Sequence, residues 1–217
     1  MTRALLLESA ERLFAVRGIG GVTLREIQVA AGQSNSSVIT YHFGSKTGLV
    51  RALVGYRQPA LDTERDQALA ELDGATPRQL VGLVVRPMVS SVRRGELYVP
   101  FLARLAEDPR ARSEYWPADV EDHLTSHATE EIIDGMLGGL PERVRRGRRF
   151  QFVTSALNLI GDHARRGAGL SDVQLANYID GWAGMLTAPV SDETAAALYP
   201  EITPSSRSAG RGPASTR

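Results

Sequence analysis

The chain has 217 residues, 42% hydrophobic and 23% charged, which suffices for a sizeable core and argues against an intrinsically disordered protein. It has no cysteine, excluding disulfides, thiol catalysis and cysteine-ligated zinc, and its formal net charge is zero. No run approaches the ~20 uninterrupted apolar residues of a membrane span, and Glu8 and Glu11 break the apolar N-terminal stretch, so no signal peptide is expected and the expected location is the cytoplasm.

Nearly everything reads as helix. Leu6, Ala10, Leu13 and Phe14 form an amphipathic stripe that stops at Gly18. Thr23 and Glu26 have capping-box spacing and open a short helix over 23–30. Gly32 breaks it, and a second short helix is predicted over 35–43, with Gly44 just past its end. Ser45 caps a longer helix with Leu49, Val50, Leu53 and Val54 on its apolar face, which Pro59 is expected to end or kink. Thr76-Pro77-Arg78-Gln79 opens a helix over 76–94, bent at Pro87, and further helices are predicted at 97–107, 117–138, 141–166 and 171–187. Strand signals are nearly absent. The expectation is therefore an all-α protein: a three-helix helix-turn-helix domain over 1–57, a larger helical bundle over 58–198, and a disordered Pro/Ser/Gly/Arg-rich tail over 199–217.

The zero net charge hides an asymmetry. Residues 1–57 hold seven basic side chains against three acids, and no acid occurs from Gln28 to Leu61. A basic head on an acidic body suits a polyanionic partner. Two short helices joined at Gly32 have the layout of a helix-turn-helix, whose second helix enters the major groove of DNA. Ser34, Asn35, Ser36 and Ser37 are short and polar, able to reach base edges or phosphates, while Val38 or Ile39 with Phe43 serves the core and Thr40, Tyr41 and His42 face the nucleic acid.

The run Thr23-Leu24-Arg25-Glu26-Ile27, then Ala31-Gly32, Tyr41-His42-Phe43-Gly44-Ser45-Lys46 and Leu49, resembles the DNA-binding domain of TetR-family transcriptional regulators over roughly residues 3–57. One residue more than the commonest family spacing separates Gly32 from Phe43, so the register of the base-reading residues shifts by up to one position. The resemblance implies phosphate contacts at Lys46 and His42 and backbone contacts at Thr23 and Arg25. It implies a homodimer on a pseudo-palindromic duplex, and often a small-molecule pocket in the body.

From the residues themselves, the last two long helices are the dimerisation candidates. Phe150, Val153, Leu157, Ile160 and Ala164 form one stripe; Val173, Tyr178, Trp182 and Met185 form the next. A pocket for an apolar effector would be lined by Met88, Phe101, Leu105, Trp116, His123, His127, Met136 and Phe152. His123 and His127 share a helix face, but without a His-Glu-x-x-His order they are not assigned a metal. No cofactor is implied, and no catalytic motif is present. The leading reading is a ligand-released repressor. A regulator acting as activator, a helical bundle whose head serves protein partners, and an enzyme with an appended head are the alternatives; the acid-free stretch beside a capped helix-turn-helix favours the regulator.

Overall fold

The computed structural model describes residues 2–35, 37–74, 76–115, 127–167 and 169–198, and every regular element among them is an α-helix. In chain order these are α1 (Thr2–Arg17), α2 (Leu24–Ala30), α3 (Val38–Phe43), α4 (Lys46–Ala70), α5 (Pro77–Arg93), α6 (Tyr98–Glu107), α7 (Pro109–Tyr115), α8 (His127–Leu137), α9 (Glu142–Arg165), α10 (Asp172–Thr187) and α11 (Asp192–Leu198). Among the described residues no helix is long and apolar enough to cross a membrane. The predicted tail lies outside them.

Capping sets the starts. Thr23 with Glu26, Thr76 with Gln79 and Ser171 with Gln174 form complete capping boxes, each side chain satisfying a main-chain N–H that the first turn leaves free. Ser45 caps α4 by accepting from the Gly48 N–H. Gly32 and Gly44 turn the chain at φ 67° and 73°, left-handed values that glycine adopts at least cost.

Two expectations change. The second short helix begins at Val38 rather than 35, because Asn35 Oδ1 accepts from the Ser37 N–H at 2.9 Å, a local side-chain bond that competes with helix. Pro59 neither ends α4 nor marks a boundary: the helix runs through it, and position 57/58 falls inside one continuous helix. Leu49, Val50, Leu53 and Val54 are buried before the proline and Leu61 and Arg65 after it, so packing on both sides outweighs the ~3 kcal/mol that an interior proline costs. Pro87 lies inside α5, the helix it was expected to bend rather than end. Helices α7 and α11 were not anticipated.

Head and body share one core. It runs from Leu6 and Phe14 through Leu53 and Phe101 to Phe152 and Leu186. Helix α6 packs on α1 on one side and α9 on the other. Phe14 and Phe101 rings lie 6.0 Å apart across the first contact. In the second, Gly161 lets the helices approach so closely that an added Cβ would stand 2.9 Å from Ala103 Cβ. A polar latch reinforces the α1 side. Buried Glu11 accepts the Leu97 main-chain N–H at 2.7 Å and pairs with Arg57 of α4 at 2.6 Å.

Candidate nucleic-acid interface

The head presents a shallow groove of about 580 Å³ between α2 and α3, lined by Leu24, Arg25, Gln28, Val29, Gln33, Ser34, Ile39 and Thr40. Val38 and Ile39 anchor α3 in the core, so the opposite side of that helix faces water. Thr40 and Tyr41 stand on it, Tyr41 at 84% exposure. The ring is thus open to solvent beside the groove. Thr23, Arg25, Ser34, Asn35 and Ser37 are also exposed, while His42 is half-buried with its ring 5.1 Å from that of Tyr41.

The structure therefore gathers Arg25, Ser34 and Thr40 at one groove and sets Tyr41 beside it on α3. Ser34, Asn35 and Ser37 precede α3 rather than riding on it. Ser36 lies outside the described residues. Gln28 and Gln33 were missed in the sequence. Gln28 Nε2 donates to the Gln33 carbonyl at 3.1 Å and Gln33 Nε2 to the Ala31 carbonyl at 3.0 Å, so the two amides shape the turn that walls the groove. Their signal was the absence of acids from this whole stretch.

Lys46 does not project freely. It donates to the Val22 carbonyl, and burial lowers its pKa from the usual lysine value. That bond uses one of the three N–H donors of the ammonium.

In the body, Phe101, Leu105 and Phe152 are fully buried and Met88 nearly so. Met136 is half-buried against the same core. The first three are packing residues, not the walls of an open pocket. His127 is the first residue of α8; Trp116 and His123 lie outside the described residues. A cavity of about 20 Å³ does exist among α4, α5, α6 and α9, with Met88 the one predicted pocket residue on its wall. The charged residue beside it, Arg65, was missed, although its place four residues after Leu61 puts it on the apolar face of α4.

The predicted dimer stripes divide. Leu157, Ile160 and Trp182 are buried within the chain itself, because α9 and α10 pack on α5, α6 and each other. They are thus unavailable to a second copy. Phe150 and Val173 are exposed, at 49% and 80%, and Val153, Ala164, Tyr178 and Met185 are half-buried.

Comparison with known proteins bears on the same region. The family model described as bacterial regulatory proteins, tetR family, matches residues 6–53, from within α1 to within α4. The HTH-type transcriptional repressor Rv1474c of Mycobacterium tuberculosis is 28% identical over 183 residues, covering 76% of this chain and 93% of that protein. A crystal structure described as a tetR family transcription regulator, from Shewanella sp. PV-4, aligns with a TM-score of 0.60 at 18% identity. It covers 86% of this chain and 96% of that one, a likeness of fold.

Proposed function

We propose that this chain, a DNA-binding transcriptional regulator of the TetR family, represses transcription as a homodimer on a pseudo-palindromic operator and is released by a small molecule bound in its body. The observation that carries the release step is the continuity of α4. Its first turn, at Lys46, adjoins α3, and some 28 Å further on (at ~1.5 Å per residue) its Arg65 lines the body cavity. One continuous helix thus touches both sites, which lets a change in the body tilt the head. Residues 1–57 serve as the DNA-binding unit, 58–198 as the regulatory and dimerisation unit, although the core they share makes them move as coupled parts.

In this reading Thr40, Tyr41 and the Ser34–Ser37 turn meet base edges and the adjoining backbone, while Thr23, Arg25, His42 and Lys46 hold phosphates. A second copy packs on the α9–α10 face through Phe150, Val153, Ala164, Val173, Tyr178 and Met185, setting the two α3 helices about one DNA turn apart.

The test is a salt titration of duplex binding by the full chain. The logarithm of the affinity should fall linearly with the logarithm of salt, and Tyr41→Ala and Thr40→Ala should each weaken specific binding by roughly 1–3 kcal/mol. Salt-independent retention, or unchanged affinity in both variants, would contradict the assignment of this face.

A further inference from the structure

Among the described residues the largest fully buried side chain is charged. Arg65, on α4, is 2% exposed. Its Nη1 pairs with Asp62 at 2.7 Å, but its Nε is buried without a hydrogen-bond partner. The side chain lines the 20 Å³ cavity, whose other walls include Leu61, Val84, Met88, Leu102 and Leu157.

This placement has no structural return. A buried guanidinium with an unmet donor is costly, and an apolar residue of similar volume at such a site is often neutral or stabilising. Asp62 compensates only in part, since its carboxylate is shared with Gln58 Nε2 at 3.0 Å and stays partly in solvent. What the guanidinium lacks is an acceptor for its Nε–H, and a carboxylate is the planar group that suits it. The remaining walls are aliphatic and methionine apart from Gln58, whose amide is bonded to Asp62 and Tyr98, so no second cation is there to balance a free phosphate or sulfate. At 20 Å³ the cavity holds a single water, so a larger occupant must part its walls. Met88 is the adaptable side chain there. Its neighbour Pro87 removes a main-chain hydrogen bond from α5 at the same height, which makes that helix easier to bend.

We propose that Arg65 is the anion anchor of the effector site, and that the body takes a monocarboxylate carrying an apolar chain or ring. The carboxylate meets Arg65 Nε, and the apolar part enters between α4, α5, α6 and α9. The proposal rests on the effector reading above and specifies its chemistry. Binding would also reach the head. Gln58, bonded to Asp62, accepts from the Tyr98 hydroxyl at 2.9 Å, and Tyr98 follows Leu97, whose N–H is held by Glu11 of α1.

The experiment compares acids with neutral partners of the same skeleton on the full chain: octanoate against 1-octanol, and benzoate against benzyl alcohol. Calorimetry reads binding, and fluorescence anisotropy reads release of a bound duplex. At least one acid should bind tenfold or more tightly than its alcohol and release the duplex. In Arg65→Met that ratio should fall to near one, with the alcohol still bound. Acid and alcohol binding equally in the wild type, with release of duplex, would overturn the carboxylate proposal and leave the effector reading standing. No binding by any of the four probes would overturn both. An acid preference that survives Arg65→Met would also overturn the anchor. The wild-type ratio needs no variant, so the proposal stays exposed to test even if Arg65→Met does not melt cooperatively.

Discussion

Lys46 at the start of α4 donates its Nζ to the main-chain carbonyl of Val22, 2.6 Å away, with the ammonium 6.0 Å from the centre of the Phe14 ring. Val22 immediately precedes the N-cap of α2. One side chain therefore ties the beginning of the helix-turn-helix to the beginning of the helix that leaves it, and fixes the height at which α3 is presented.

That tie makes the effect of removing it twofold. Lys46→Met should lower the stability of the folded chain by about 1 kcal/mol, the net worth of one half-exposed charge-assisted hydrogen bond. If the ammonium also meets a phosphate, the salt slope of duplex binding should fall by about one per subunit. Thermal melting checks the first and a salt titration the second. A lost tie with an unchanged slope would make Lys46 a clamp only.

Glu26 gives the head a defined acid response. Its carboxylate accepts from the Thr23 main-chain N–H and from the Thr23 hydroxyl, each at 2.7 Å, and pairs with Arg17 at 2.8 Å. Thr23, first through the main chain and then through its hydroxyl, and after it Arg17 hold the carboxyl at about 2, against an ordinary 4.5. A depressed carboxyl contributes stability in full above its unfolded value, and the contribution fades as pH falls through that window. The melting-temperature gap between wild type and Glu26→Gln should thus be widest above pH 4.5 and close toward pH 2. It should also narrow in high salt, since the group sits in water. A gap that stays constant with pH would contradict the assignment.

Gly48 sits where α4 begins beneath α3. A Cβ added there would collide with the Phe43 carbonyl oxygen, which is main chain and cannot rotate aside. Gly48→Ala should cost roughly 1–3 kcal/mol, as overpacking does, and displace α3 from its seat. Melting and duplex binding together check this. Unchanged binding with unchanged stability would mean that the α3–α4 junction is more compliant than its packing implies.

The latch between head and body is more demanding still. Glu11→Ala leaves Arg57 without its closest partner and the Leu97 N–H without an acceptor. Breaking one side of a buried pair typically costs about 3–5 kcal/mol. Arg57→Ala in the Glu11→Ala background should then cost far less than it does alone, because Arg57's remaining partner is the more distant Glu96 at 3.6 Å. Additive effects in chemical denaturation would show that the two residues act independently.

Much of this architecture is legible in the residues, and the failures have physical causes. The three capping boxes are local, two side chains satisfying two main-chain groups within four residues, so pattern alone locates α2, α5 and α10. Asp108, whose carboxylate accepts from the N–H groups of Arg110 and Ala111, followed by Pro109, is an equally local start signal, and α7 was readable there. Pro59 misleads because its local cost is overridden by packing on both of its sides, which no window along the chain displays. Arg25 and Thr40, read as DNA contacts from their place on two short helices, line one groove because α2 and α3 pack side by side. Leu105, Phe101 and Phe152 were read as pocket because sequence registers apolar character but not whether neighbours already fill the space. Arg65 and Glu11 announce themselves as charges on apolar faces, yet their partners lie on other helices.

The most direct measurement is selection of duplexes from a randomised pool by the full chain at near-physiological salt, followed by sequencing of the retained DNA. The account predicts enrichment of an inverted repeat whose half-sites lie about one helical turn, roughly 10 base pairs, apart, with the preference at one half-site position altered in Thr40→Ala. Retention without any enriched sequence, or enrichment of a single unpaired half-site, would contradict it.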